Sequence, residues 1–176
     1  SYTEFVEIEL AEPMEVEKAA LALDAALPRG IRVLAADAVD THHAALMSQA
    51  AGASYRVTLP YSKDVSAAVA EFNAAPELLF KKAAPKTKAK FKEIDVKFYI
   101  PQLTAKQTET ETIFSFDCKI TPTGSMKAVD LLNALNEQYG LALPVEMADI
   151  ERLRLYRNNK NGKPIPMLNS DAVTLG

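Results

Sequence analysis

Two hydrophobic periods alternate along the chain. Residues 4–10 place apolar side chains at every second position, which predicts a half-buried strand. Between Pro13 and Pro28, apolar residues recur at spacings of three and four, which predicts a helix that the second proline and Gly30 terminate. The same two patterns recur as far as residue 157, so the whole chain to that point is predicted to alternate strands and helices.

These patterns predict seven strands and four helices. The predicted strands are residues 4–10, 31–39, 55–59, 78–82, 92–100, 112–120 and 150–157. The predicted helices are residues 13–28, 41–51, 62–76 and 125–140. Short helices bury one face against a sheet, so we expect an α+β two-layer sandwich of ferredoxin-like (split βαβ) units, with two of them interlocked.

The predicted element order also suggests domain boundaries. Residues 1–83 match a ferredoxin-like βαββαβ unit, residues 84–160 a ββαβ continuation packed on it, and residues 161–176 a loosely ordered tail. Residues 53–157 can be parsed as such a unit instead, with an extra hairpin strand. Both units cannot be complete, because they share the middle βαβ segment.

Composition narrows the class of protein. The chain has 176 residues, of which 48% are hydrophobic, enough to form a core. Charges interrupt every apolar run, which excludes a membrane span, and no secretion signal opens the sequence. One cysteine, Cys118, permits no intramolecular disulfide and no multi-cysteine metal site. We therefore expect a cytoplasmic protein without a metal, a cofactor or a membrane partner.

The net charge of −3 conceals two oppositely charged parts. Residues 1–80 carry five Lys/Arg against twelve Asp/Glu, a net charge of −7. The remaining residues carry fifteen against eleven, a net charge of +4. Such a division can orient a protein toward a polyanion or an acidic surface, and it can equally serve solubility alone.

A lysine-rich segment is the densest charged feature. Residues 80–92 contain no acidic residue and six lysines: Lys81, Lys82, Lys86, Lys88, Lys90 and Lys92. An unbroken strand would point the last four toward the core, so we expect an exposed connection around Pro85. This connection is either a loop that grips phosphates or a solvated hairpin tip that protects a sheet edge.

A second cationic strip lies on the last predicted strand. Leu153 and Leu155 are expected to alternate inward, which leaves Arg152, Arg154 and Tyr156 on the opposite face and Arg157 at its end. Arginines beside an aromatic ring can hold single-stranded RNA through phosphate contacts and stacking. An ordinary amphipathic strand gives the same pattern.

No catalytic constellation is recognisable in the sequence. His42 and His43 lie near Asp37 and Asp40, which would allow a general base or a metal ligand, although a surface turn fits the pattern better. Cys118 falls among apolar residues, which predicts a buried, inert thiol. We expect the chain not to be an enzyme.

Several stretches together resemble a known family. The segments TEFVEIEL (residues 3–10), LDAALPRGI (residues 23–31) and ASYRVTL (residues 53–59) carry the resemblance. Residues 94–97, 124–127 with 130–132, and 150–152 with Arg157 fit more loosely. The family is the bacterial radical-SAM-linked domain, a C-terminal extension or neighbour of radical SAM proteins. The resemblance implies that a radical SAM protein is the partner and that this chain corresponds to the later part of the domain.

Three functions follow from these observations. The first is a non-catalytic accessory domain that recognises RNA for a radical SAM protein through the lysine-rich segment and the arginine strip. The second is a protein-docking module without a nucleic-acid role, which would use the acidic first half. The third is an RNA-processing enzyme that uses His42 or His43.

Overall fold

A computed structural model describes residues 3–40, 42–83 and 90–175. The chain forms two compact units, each made of separate stretches of sequence. Unit 1 comprises Ser1–Glu4 and Ala50–Tyr156, and unit 2 comprises Phe5–Gln49 and Arg157–Gly176.

The described residues form four α-helices and ten strands. The helices are α1 (Val16–Ala26), α2 (Ser66–Ala74), α3 (Val96–Tyr99) and α4 (Ala128–Tyr139), and 3-10 turns occupy Leu46–Gln49 and Val145–Met147. The strands are β1 (Ala35–Ala36), β2 (Ala50–Leu59), β3 (Leu79–Ala83), β4 (Phe91–Asp95), β5 (Leu103–Gln107), β6 (Thr112–Thr121), β7 (Gly124–Ser125), β8 (Asp149–Asn158), β9 (Pro164–Pro166) and β10 (Val173–Thr174).

Unit 1 is built around a sheet with the strand order β5-β6-β2-β8. β6 is antiparallel to both neighbours, with Cys118 opposite Ala53 and Phe116 opposite Leu103. Along the chain, β2, α2, β5, β6, α4 and β8 make a βαββαβ unit. Its first strand lies between the fourth and the third, which is the ferredoxin-like arrangement. The α+β class is therefore confirmed, and this unit coincides with the parsing over residues 53–157.

Helices α2 and α4 form the second layer. Their buried residues join one core with the inward side chains of β2 and β6, a core that includes Phe72, Leu131, Leu132, Val57 and Phe114. The helix α4 ends at Gly140, whose φ of 63° is a left-handed conformation that glycine adopts without strain. The other face of the sheet carries polar residues, as the alternation along β2 and β6 requires.

One asparagine in each of these helices makes hydrogen bonds to both backbone groups of a leucine later in the chain. Asn73 in α2 accepts from the Leu103 N–H and donates to its carbonyl, at 2.9 and 2.8 Å. Asn136 in α4 makes the same two bonds to Leu143, at 2.7 and 3.0 Å. Both leucines are buried, so the amides satisfy backbone groups that water does not reach. The two halves of the unit thus use the same asparagine–backbone contact.

The strands β3 and β4 form a separate antiparallel hairpin inserted between α2 and β5. The predicted strand over residues 92–100 is wrong in its second half, because the chain turns into α3 at residue 96. The Asp95 carboxylate causes this change of direction: it accepts from the Lys97 N–H at 2.9 Å and from the Leu78 N–H at 3.1 Å.

Unit 2 contains little regular structure. The predicted strand over residues 4–10 is wrong, since none of these residues pairs with a strand, and only Ala35–Ala36 of the predicted 31–39 strand pairs, with β10. The Asp24 carboxylate holds this unit together by accepting from Arg32 Nε at 2.9 Å and from the Val33 N–H at 2.8 Å. The predicted helix over residues 41–51 is reduced to the 3-10 turn at Leu46–Gln49.

The boundaries predicted at residues 83 and 160 do not appear in this division. The chain on both sides of residue 83 belongs to one unit, because β2 pairs with β6 across the inserted hairpin. Residues 161–176 contribute β9 and β10 to unit 2, and Met167 is buried there. The pairing of segments distant in sequence, which periodicity does not reveal, sets these divisions.

Candidate nucleic-acid interface

The β3–β4 hairpin carries four of the six lysines predicted to bind phosphate; we call it the lysine hairpin. Lys86 and Lys88 lie outside the described residues. Lys82 points toward α4 and its Nζ lies 2.7 Å from the Asp130 carboxylate, so this lysine is engaged within the protein.

The other three described lysines of the hairpin are Lys81, Lys90 and Lys92. All three are exposed, and none forms an ion pair with a described carboxylate. Lys90 has a φ of 58°, which marks the return of the chain into β4. Three cationic groups are therefore available to an anionic ligand at this end of the hairpin.

An exposed aromatic ring shares one face of the hairpin with Lys81. Phe91 is 59% exposed, although it is a large apolar residue. Residues directly opposite each other in an antiparallel pair share a face, as do residues two apart along a strand, so Phe91, Lys81 and the exposed Glu93 lie on the outer face of the hairpin. Lys92 lies on the other face with Ile94, which enters the core. A solvated ring on the same face as a lysine can stack on a base while the lysine contacts a phosphate.

The arginine strip of β8 does not form one face. Leu153 is 40% exposed, whereas Arg152 is half-buried and its Nη2 lies 2.5 Å from the Glu4 carboxylate. Arg152 also lies near Tyr55: burial raises the pKa of that tyrosine, and the arginine opposes the rise. Leu155 is buried as expected. The inward positions are thus residues 152 and 155, so strict alternation breaks between them, as at a β-bulge.

The Arg157 guanidinium makes hydrogen bonds to other residues of unit 2. Its guanidinium donates to the Pro166 carbonyl at 3.1 Å, to Asn169 Oδ1 at 2.6 Å and to Gln49 Oε1 at 3.4 Å. Arg152 and Arg157 therefore form contacts within the protein. Arg154 and Tyr156 are the remaining pair of the predicted strip that a ligand could reach.

Arg154 and Tyr156 lie together on the outer face of the main sheet. The Arg154 guanidinium carbon is 5.3 Å from the centroid of the Tyr156 ring, a cation–π contact. The ring lies against the backbone of Gly52, where a Cβ atom would overlap the phenol. Burial raises the Tyr156 pKa, the Asp117 charge raises it further, and Arg154 opposes both. The glycine thus allows the aromatic ring to lie flat on the sheet.

A cleft of about 300 Å³ opens on the same sheet face. Four strands contribute to it, and its lining includes Ser54, Gln102, Thr104, Ser115, Asp117 and Leu153. Asp117 lies opposite Ser54 in the register, and its carboxylate accepts a hydrogen bond from the Ser54 hydroxyl. Sequence reasoning missed this cleft and Phe91. The local signal for the cleft was the presence of polar residues at alternate positions of β2 and β6, such as Ser54, Ser115 and Asp117.

The remaining candidate side chains lie elsewhere. His42 is almost fully exposed and contacts Asp40 at 3.1 Å, while His43 contacts Gln49. Cys118 is buried in unit 1, as predicted; burial raises the pKa of its thiol, which donates to the Met126 carbonyl at 3.4 Å. The described residues contain no group of three or more His, Cys, Asp or Glu placed to hold a metal ion. None of the helices described in the structure has the length and apolarity to span a bilayer.

A comparison with protein families decides the relationship of the chain. Residues 1–131 match the family described as "Uncharacterized protein conserved in bacteria (DUF2344)". The chain belongs to this family. The matched part ends within α4, so it covers all of the lysine hairpin and three of the four strands of the main sheet. No curated protein and no solved structure matches this member of the family significantly.

Proposed function

We propose that this chain is a non-catalytic accessory domain that binds single-stranded RNA for a radical SAM protein. The observation that carries the proposal is the composition of the lysine hairpin, where the exposed Phe91 ring shares the outer face with Lys81, and Lys90 and Lys92 are the exposed neighbours of Phe91 in sequence. Ring stacking and phosphate contacts together make a sequence-tolerant grip on a single strand.

The assignment of a radical SAM protein as the partner rests on the family resemblance. The domain that the sequence resembles accompanies radical SAM proteins, and membership of a bacterial family is compatible with that role. The chain has one cysteine, so it does not supply a cysteine set for the partner's iron–sulfur cluster. In this proposal the partner performs the chemistry and the present chain supplies recognition, in the cytoplasm.

The test is RNA binding as a function of salt. A single-stranded oligonucleotide is titrated with the wild type and with Lys81→Ala/Lys90→Ala/Lys92→Ala. The affinity falls with salt, and each lost phosphate contact reduces the magnitude of the slope of log affinity against log salt by about 0.7 for single strands. We expect the triple variant to bind more weakly and to lose about two units of slope.

A matched control changes three exposed lysines outside the hairpin, Lys18, Lys63 and Lys106. It has the same net charge as the hairpin variant, so an effect of total charge would appear in both. Equal affinity and equal slopes for the two variants would refute the role of the hairpin.

One observation favours the protein-docking function as a second candidate. Within unit 2, Val6 is 75% exposed, Ile8 and Leu10 are also exposed, and Glu9 alternates with them. An exposed apolar row beside acidic groups is typical of a surface that a protein covers. A pull-down with the radical SAM protein tests it: Glu9→Lys abolishes capture if this row docks, and leaves it unchanged if the row does not.

A further inference from the structure

The cleft on the open face of the main sheet contains one carboxylate, and a cationic side chain, Arg154, lies on the same sheet face. Asp117 is exposed inside it, and its carboxylate accepts a hydrogen bond from the neutral Ser54 hydroxyl. Tyr156 lies against Gly52, which is two residues before Ser54 on β2. Arg154 contacts the Tyr156 ring at 5.3 Å, so a positive charge lies on the same sheet face as Asp117. A ligand for this site therefore needs hydrogen-bond donors at one end and a negative charge at the other.

From this geometry we propose that the cleft binds one nucleotide with adjacent N–H donors on its base, that is, a guanine nucleotide of a single-stranded RNA. The proposal rests on the proposed RNA-binding function and adds a base-selective site to it. The Asp117 carboxylate accepts from the guanine N1–H and N2–H groups, and Arg154 contacts the phosphate.

The rest of the cleft suits a planar base. Ser54, Ser115 and Thr104 contribute small side chains to its lining. The Tyr55 and Phe116 rings and the exposed side chain of Leu153 add apolar surface. A volume of about 300 Å³ is at the small end of ligand sites, which restricts the occupant to a single base or a side chain of similar size. Leu153 is exposed because the alternation of burial along β8 is broken, and this exposure brings it into the lining of the cleft.

The Ser54 hydroxyl prepares the carboxylate for this role. By donating to one Asp117 oxygen, it fixes the side-chain rotamer and leaves acceptor positions on both oxygens for the base. A protein arginine would also donate to Asp117. It carries no negative group for Arg154, however, and the two guanidinium groups would repel each other. The opposite charges therefore favour a nucleotide.

Mononucleotides test the cleft separately from the lysine hairpin, because they are too short to need it. Isothermal titration of the whole chain with GMP, IMP and AMP compares bases with two, one and no donors in the required position. We expect GMP to bind tightest and Asp117→Asn to weaken GMP at least about 10-fold, since a bidentate base contact discriminates to that extent. Asp149→Asn, which changes an exposed carboxylate at the start of β8, leaves the affinity unchanged.

Three results would overturn the proposal: equal affinities for the three nucleotides, unchanged GMP binding in Asp117→Asn, or tighter binding of N-acetylarginine amide than of GMP. A thermal melt of Asp117→Asn shows that it is folded, as expected for an exposed side chain. If the hairpin variant loses RNA while GMP fails to bind, only the cleft proposal fails. If GMP binds but the hairpin lysines do not affect RNA affinity, only the role of the hairpin fails.

Discussion

The Lys82 ammonium lies 2.7 Å from the Asp130 carboxylate, and it ties the lysine hairpin to the first turn of α4. The two side chains retain 25% and 15% of their exposure, so the pair is partly shielded from solvent. A lysine in a run of six thus has a structural role, while its neighbour Lys81 stays free.

This difference predicts opposite effects of two adjacent substitutions. Lys82→Ala lowers the free energy of unfolding by about 1 kcal/mol, because it removes a partly shielded ion pair at a helix N-terminus. It leaves the salt slope of RNA binding unchanged. Lys81→Ala leaves stability unchanged and lowers the slope by about 0.7. Denaturant unfolding and salt-dependent RNA titration measure the two effects; equal slopes in both variants would contradict the assignment.

The contact between Gly52 and Tyr156 predicts a steric conflict. Gly52→Ala places a methyl group where the phenol lies, and we expect a loss of about 1–3 kcal/mol in the free energy of unfolding. In the Tyr156→Ala background the same substitution has room and costs much less. A double-mutant cycle by urea unfolding measures this coupling. Additive effects of the two substitutions would show that the ring does not lie on the glycine in solution.

The asparagine–backbone contacts predict a large cost for a small change. Asn73→Ala leaves the buried N–H and carbonyl of Leu103 without partners, and we expect a loss of about 2–3 kcal/mol. Asn136→Ala has the same effect through Leu143. Asn133→Ala on the exposed face of α4 is the matched control and changes stability by less than about 0.5 kcal/mol. An Asn73 or Asn136 variant as stable as this control would refute the role of the amide.

The Asp24–Arg32 pair predicts an acid-sensitive unit 2. The hydrogen bond from Arg32 and then that from the Val33 N–H lower the Asp24 pKa below its ordinary value of 3.8. A lowered folded-state pKa stabilises the fold above pH 3.8, and this contribution is lost as the pH falls through the lower value. The Val33 amide resonance should therefore titrate below pH 3.8. In Asp24→Asn that titration disappears, and its persistence would contradict the contact.

Local periodicity predicted the elements with paired or packed partners. The strand over residues 112–120 and the helix over residues 125–140 match β6 and α4 closely, since each buries one regular face. Residues 4–10 alternate equally well but make no strand, because a strand needs a partner and alternation does not supply one. The strand order depended on pairing between β2 and β6, which are about fifty residues apart, and no local pattern encodes that choice.

The candidate site followed the same rule. Composition identified the lysine hairpin, but only the structure separated Lys82 from Lys81. On β8, the burial pattern breaks its alternation, so Leu153 is exposed and Arg152 is half-buried, the opposite of what strict alternation predicts. One irregular position in a strand exchanges the buried and exposed faces of the residues before it. Sequence spacing does not show where such a position occurs.

Burial of Cys118 makes the thiol a built-in reporter of opening in unit 1. The chain has no other cysteine, and this one lies on the buried face of β6, where its thiol donates a hydrogen bond to a backbone carbonyl. Alkylating reagents can reach it only when the layers separate, so the labelling rate measures that separation without an engineered probe. RNA or a partner protein that stabilises unit 1 will slow the labelling, whichever surface it contacts.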